Sequence, residues 1–360
     1  MEKFADILVN YSTKIKEGDR VQIYLRGVSG ESLALATYKK ALQAGAISVS
    51  LHVIPEEMDS IFYEYATDAQ LNYFPHIELK EMEDTDVFIG IAAEENPRRL
   101  MEANPRKIAT RDKVLEPIFR HRIEKTRWVV TRFPTAGYAQ NAGMSTDAFT
   151  EFLFDAVNQD WSVQEREQEK IKQYLDKARE IRLVADRTDL TVRKDERPVV
   201  KCFGEKNMPD GEVFFSPLED SAAGKVSFSF PVIYQGNEID GVELELEKGV
   251  IVGAKARLNE QFLLKALDTD EGAERLGEFG IGTNYNIERF VKNMLFDEKI
   301  GGTVHIAPGA SFPEAKGVNR SGLHLDMLVD LRKGGELYAD GVLIQENGRF
   351  TGPLEGLFEF

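Results

Sequence analysis

The chain has 360 residues, 29% of them charged, with a formal net charge of −16. That length leaves room for two domains with separate cores, and the acidic balance excludes a nucleic-acid partner, which would need clustered Lys and Arg. A single cysteine, Cys202, excludes an intrachain disulfide and fits a reducing compartment. No apolar run reaches about 18 residues, and residues 1–6 are charged where a signal segment would be apolar, so the expectation is a cytoplasmic protein without a membrane span.

Val21, Ile23 and Leu25 alternate with polar neighbours after the Gly18-Asp19 turn, which is the period of a half-buried strand. The spacing then predicts a helix over 29–44, capped by Ser29 and followed by Gly45. Ile47, Val49, Leu51 and Val53 predict a second strand. Short apolar runs at 87–92 and 128–131 each follow a charged stretch of helical character. This alternation predicts an α/β N-terminal domain over 1–185, a mostly parallel sheet with flanking helices. Gly27-Val-Ser-Gly30 lacks the lysine and the full glycine set of a phosphate loop, so it is taken as a plain strand-to-helix turn.

A long polar helix is expected over 161–182, where Ile171, Leu175, Ala178 and Ile181 form a narrow apolar stripe. The domain change is placed at its end, near 183–190. Beyond it, the runs at 226–230, 242–246 and 250–254 are strand-like and separated by Gly-containing turns, predicting antiparallel hairpins. Helices are expected at 260–267, 270–276 and 287–296, strands at 304–307 and 323–331, and a hairpin over 336–350. The second domain, 186–360, is therefore expected to be α+β.

Its chemistry is concentrated in four blocks around Glu212, Glu278, His305 and the pair His324 and Asp326. Imidazole and carboxylate ligands in this number suit a pair of divalent ions, and such a pair suits metal-assisted hydrolysis. Residues two apart on a strand share a face, so His324 and Asp326 project together. They could bind one ion jointly, Asp326 could orient His324, or the pair could be a polar strand face. His305 sits among apolar neighbours, where a hydrogen-bonded core histidine is the plain alternative to a ligand. Glu212 could equally be a solvated strand-end acid. Glu278 falls where a helix is expected to end at Gly280 and Gly282, a position the helix dipole disfavours for an acid unless a cation offsets it. His52, His76 and His121 have no ligand-type neighbours in the sequence and are taken as structural or exposed.

These blocks resemble those of the aminopeptidase T and aminopeptidase S family, co-catalytic metallo-aminopeptidases first known from thermophilic bacteria. The likeness extends to Ala5-Asp-Ile-Leu-Val-Asn-Tyr, Lys16-Glu-Gly-Asp-Arg-Val, Thr131-Arg-Phe-Pro-Thr, the run from Gly211 to Gly224, and Asp297-Glu-Lys-Ile-Gly-Gly-Thr-Val-His-Ile-Ala, and so covers nearly the whole chain. The resemblance implies that Glu212, Glu278, His305, His324 and Asp326 match the family's metal-ligand positions, with Glu278 as the bridging carboxylate. It implies two divalent ions, zinc or cobalt with manganese or magnesium as alternatives, a homodimer, and peptides with a free N-terminus as substrates. A general base is needed as well, for which Glu298 and Glu219 are the candidates. One departure stands out: many members have a tyrosine seven residues after the His305 position, and this chain has Phe312. If that hydroxyl is an oxyanion donor, its loss costs on the order of 10²–10³ in rate. Two rivals follow, a hydrolase of another small amide on the same fold and a catalytically weakened metal-binding homologue.

Overall fold

In a computed structural model describing residues 1–358, the first apolar alternation forms β1, Arg20–Arg26, an inner strand of a parallel sheet. Glu359 and Phe360, the end of the expected second domain, lie outside the described residues. β2 (Ser48–Ile54) pairs with one side of β1, and β3 (Val87–Ala92) with the other. β4 (Arg127–Arg132) and the short strand Asn207–Met208 complete the sheet. Val21, Ile23 and Leu25 are buried together on one face of β1, while Gln22, Tyr24 and Arg26 point to the other. Helices Glu31–Gln43, His76–Glu83 and Pro105–Lys125 join successive strands, as parallel pairing requires.

Ser29 does not cap the first of these helices; its hydroxyl donates to Glu95 at 2.6 Å and the cap position falls to Gly30. The turn before it is structural in origin. Gly27 has φ +85°, and a Cβ there would lie 2.1 Å from the Ala93 carbonyl oxygen.

Close contacts divide the chain into two units, Met1–Gln159 with Gly204–Pro209, and Asp160–Phe203 with Asp210–Phe360. The divide falls ahead of the long helix rather than at 185/186, because Ile171 and Leu175 of that helix pack into the second unit's core. The helix is also shorter than its stripe implied, Trp161–Leu175. Ile181 and Leu183 fit a period of two as well as a helical one, and they go into the strand Glu180–Ala185.

The second unit holds an eight-stranded antiparallel sheet and a five-stranded one. Leu183, Leu190 and Leu244 of the larger sheet share one core with Val213, Phe279 and Val304 of the smaller. The five strands of the smaller sheet run in the order Met327–Asp330, Thr303–Pro308, Leu276–Gly282, Glu212–Phe215, Val200–Cys202, all antiparallel.

Two expected helices and one expected helix end differ. Residues 271–274 form turns; the Asp270 carboxylate accepts from the amides of Gly272 and Ala273 at 3.0 Å, as a helix cap would, and of Gly322 at 2.7 Å, but the chain passes into strand at Leu276 instead of continuing as helix. Of 287–296, only Met294–Asp297 opens into a helical turn; Asp297 draws the amides of Val291 (2.7 Å) and Asn293 (2.6 Å) onto its carboxylate instead. Glu278 ends no helix; it lies in the strand Leu276–Gly282. The helix 260–267 forms as expected, Glu260–Leu267.

Candidate metal centre

Strand alternation builds the site. On the smaller sheet Val213, Phe279, Ile281, Val304 and Ile306 face the core, so their neighbours Glu212, Glu278, Gly280 and His305 share the opposite face. His324 and Asp326 precede the strand Met327–Asp330, with His324 bridged to Gly309 and Leu325 in the core. All five residues singled out in the sequence therefore come together.

The contacts are close. His305 Nε2 lies 3.0 Å from Glu212 Oε2 and 3.5 Å from Glu278 Oε1. His324 Nε2 lies 3.3 Å from both Glu278 Oε2 and Asp326 Oδ1. Two clusters of metal-ligating type result, Glu212–Glu278–His305 and Glu278–His324–Asp326, with ligand atoms in each within 4.8 Å of one another. Glu278 belongs to both.

Gly280 makes this possible. It pairs across the sheet with His305, and a Cβ at 280 would lie 1.9 Å from His305 Nε2. Gly280, which imitates a helix end in the sequence, is the floor of a cradle for an imidazole.

The donor set fits divalent cations. His324 Nδ1 is 2.9 Å from the carbonyl of Ala310, which can only accept, so Nδ1 carries the proton and Nε2 is left with a lone pair. That lone pair faces two carboxylate oxygens, an arrangement that needs a proton or a cation between them. Without a metal the imidazoles take that part. Burial pulls His324 down, but Asp326 and Glu278 outweigh it and push it up to about 11. His305 is likewise opposed by burial and raised well above the usual histidine range by Glu212 and Glu278.

Sequence reasoning missed Lys299, which is fully buried at the centre of the site. Its Nζ donates to Glu212 Oε1 at 3.0 Å and to Glu298 Oε1, and lies 3.9 Å from Asp210 Oδ1. A third cluster, Cys202–Asp210–Glu212, thus already has a fixed ammonium beside it. Burial raises Glu212, yet Lys299 and His305 hold it down at about 2. The Cys202 thiol is pushed well up by burial and by the charges of Asp210 and Glu212, so it stays protonated. A lysine after a short acidic turn gives no sequence signal of burial.

The two base candidates separate. Glu298 touches Lys299, is 17% exposed, and burial raises its carboxyl to about 8. Glu219 is bound by Arg197 at 2.7 and 3.0 Å and by the Val318 amide at 3.2 Å, and it belongs to neither ligand cluster. Phe312 lies at the site: its ring meets the His324 ring edge-on with centroids 5.1 Å apart, and Phe214 at 5.3 Å. His52, His76 and His121 join no ligand cluster among the described residues.

Residues 1–350 match the model of the thermophilic metalloprotease family M29. The chain belongs to this family. Among M29-like relatives, aminopeptidase 2 of Geobacillus stearothermophilus is 26% identical, the match covering 95% of this chain and 94% of the relative. Aminopeptidase AmpS of Bacillus subtilis is 25% identical with the same coverage. The solved structure of AmpT from Thermus thermophilus superposes with a TM-score of 0.85 over 98% of both chains, at 22% identity. The resemblance to the aminopeptidase T and S family therefore holds, as does the fold class of a parallel N-terminal sheet and an antiparallel C-terminal region. The same fold also carries different chemistry: a 2,5-dihydroxypyridine dioxygenase from Pseudomonas putida matches with a TM-score of 0.65 at 16% identity, over 98% of this chain and 97% of that one. M29 membership makes this chain a metal-dependent peptide hydrolase. No helix among the described residues is long and apolar enough to cross a membrane.

Proposed function

We propose that this metallopeptidase is an aminopeptidase that removes the first residue from peptides with a free N-terminus. In this reading Glu212, Glu278, His305, His324 and Asp326 would hold two divalent ions, with Glu278 shared by the two ligand sets. The observation that carries it is the membership of Glu278 in both ligand clusters. Bound ions of this kind polarise the scissile carbonyl and make a water acidic enough to be a nucleophile near neutral pH.

The chain's own residues have separate tasks. The Ala310 carbonyl fixes the His324 tautomer and aims Nε2 at Glu278 and Asp326. Lys299 anchors one oxygen of Glu212 and leaves the other facing His305. Glu298 is the general base: its carboxyl is partly exposed and poised near neutral pH, where a group best takes a proton from water and passes it to the leaving amine. Phe312 walls the His324 side and offers no hydroxyl to a developing oxyanion.

The imidazole and carboxylate set suits zinc or cobalt, with manganese or magnesium as alternatives. A homodimer is the proposed assembly, by likeness to the family, and the cytoplasm the proposed location, from the lone cysteine, Cys202. A second reading, hydrolysis of another small amide, is favoured by Phe312 alone.

Hydrolysis of Leu-Gly-Gly and of its N-acetylated form, before and after chelation, tests the proposal. Chelator-sensitive release of leucine from the free peptide only is expected. Cleavage of the blocked peptide at a similar rate would move the reading to the second hydrolase.

A further inference from the structure

The parallel sheet of the first unit has strand order β2-β1-β3-β4, so the crossover from β1 to β2 and the one from β2 to β3 run in opposite directions and the order reverses between β1 and β3. Ligands of such sheets bind beyond the carboxyl ends of the strands at that switch point. The last residues of β1 to β4, Arg26, Ile54, Ala92 and Arg132, all line one cavity of about 570 Å³. Every residue lining it belongs to the first unit. The volume falls within the roughly 300–1,000 Å³ of small-molecule sites.

Its walls are aromatic. His52 stacks on Tyr24 (centroids 5.9 Å, planes 20° apart), and Tyr24 stacks on Phe88 (6.1 Å, 30°). The Arg122 guanidinium, from helix Pro105–Lys125, lies 5.0 Å from the Phe88 ring, 5.5 Å from Phe119 and 5.6 Å from Trp128.

Its polar groups are incomplete. Arg26 and Arg99 have carboxylate partners, Asp59 for both and Glu94 for Arg99. Arg122 has none among the described residues; its Nε is sealed from solvent without a hydrogen-bond partner, and so is Nε of Arg132. Gln22 is 6% exposed, gives its amide nitrogen to a contact with His52, and leaves Oε1 buried without a donor. A half-buried guanidinium lacking a counter-ion, two orphan donors sealed from solvent and an orphan acceptor are costly unless a ligand satisfies them. Glu78 and Glu81, both exposed, add negative charge to the cavity lining.

We infer that this cavity is a second binding site, separate from the metal centre, for an apolar amino acid. Its carboxylate pairs with Arg122 and Arg132, its amino group meets Gln22 Oε1 and the acidic lining, and its side chain lies on the Tyr24–Phe88 wall. The ligand class is that of the product of the proposed reaction, but the inference stands on the cavity alone.

Calorimetric titration of the full chain with L-phenylalanine, with and without chelator, tests it. L-phenylalaninol serves as the probe lacking a carboxylate. Saturable binding at one site that survives chelation is expected, weakened about tenfold or more for phenylalaninol and for Arg122→Gln, as the loss of a charge-assisted bond implies. Leu115→Trp, which fills the cavity without altering charge, is expected to remove the same binding and guards against Arg122→Gln failing to fold. Loss of binding on chelation, equal affinity for phenylalaninol, insensitivity to both variants, or no saturation by roughly 10 mM would each overturn the inference.

Discussion

The five-stranded sheet of the second unit has two faces, and burial does not tell them apart. On one, Val213, Phe279, Ile281 and Val304 are buried against other apolar side chains. On the other, Glu212, Glu278 and His305 are buried to the same degree, at 6%, 4% and 1% exposure. The apolar face is stable as it stands, because removing hydrocarbon from water is itself favourable. The polar face gathers carboxylates that are costly to bury without cations, and among the described residues the one fixed cation paired with them there is Lys299. The difference locates the chemistry: the face that cannot be satisfied by its own residues is the one built around a ligand.

The first unit sharpens the contrast. Its half-buried acid Glu94 is matched by its own chain, with Arg99 at 2.7 Å and the Tyr138 hydroxyl at 2.6 Å. That network needs nothing from outside, whereas the polar sheet face does.

The comparison can be broken first on its apolar side. Phe279→Ala, fully buried and stacked on Phe215 at 5.2 Å, is expected to cost about 3–5 kcal/mol in denaturant unfolding while leaving metal stoichiometry of the folded protein unchanged. Loss of metal at full stability would show that the two faces are not independent.

On the polar side, Lys299→Met leaves Glu212 and Glu298 without their cation. A loss of about 3 kcal/mol is expected in the metal-free protein, partly recovered when divalent metal is added. No recovery with metal would mean that the acids are held for structure alone.

At the rim, Phe312→Tyr is expected to raise kcat by roughly tenfold or more, with little change in KM, if a hydroxyl beside His324 is what the site lacks. An unchanged kcat would assign the oxyanion to other groups.

The smallest effect lies in the first unit. Burial raises the Glu94 carboxyl, but Tyr138, Arg99 and Arg132 outweigh it and leave it below its ordinary 4.5. A depressed carboxylate stabilises the fold fully above its unfolded value and loses that stabilisation as pH falls through the folded one. Thermal melts from pH 6 downward should therefore lose about 1 kcal/mol less in Glu94→Gln than in the parent below about 4.5, with or without chelator.

Much of this was legible in the sequence for a physical reason. Alternation is a local property, so Glu212-Val-Phe-Phe and Thr303-Val-His-Ile-Ala reveal a strand with one apolar face and one chemical face. What escaped depends on distant parts of the chain. Gly280 is a glycine because an imidazole from the neighbouring strand lies over it, and Lys299 is buried where Asp210, Glu212 and Glu298 gather around its ammonium. Asp297 displaces a helix by drawing the amides of Val291 and Asn293 onto its carboxylate, a competition that composition does not display.

The most direct test of the account is a crystal structure of the metal-loaded protein with anomalous data at the metal edge. It predicts two peaks on the polar sheet face, one on each side of Glu278, the first reached by Glu212 and His305 and the second by His324 and Asp326. A single peak that leaves Glu212 bound only to Lys299 and His305 would contradict it.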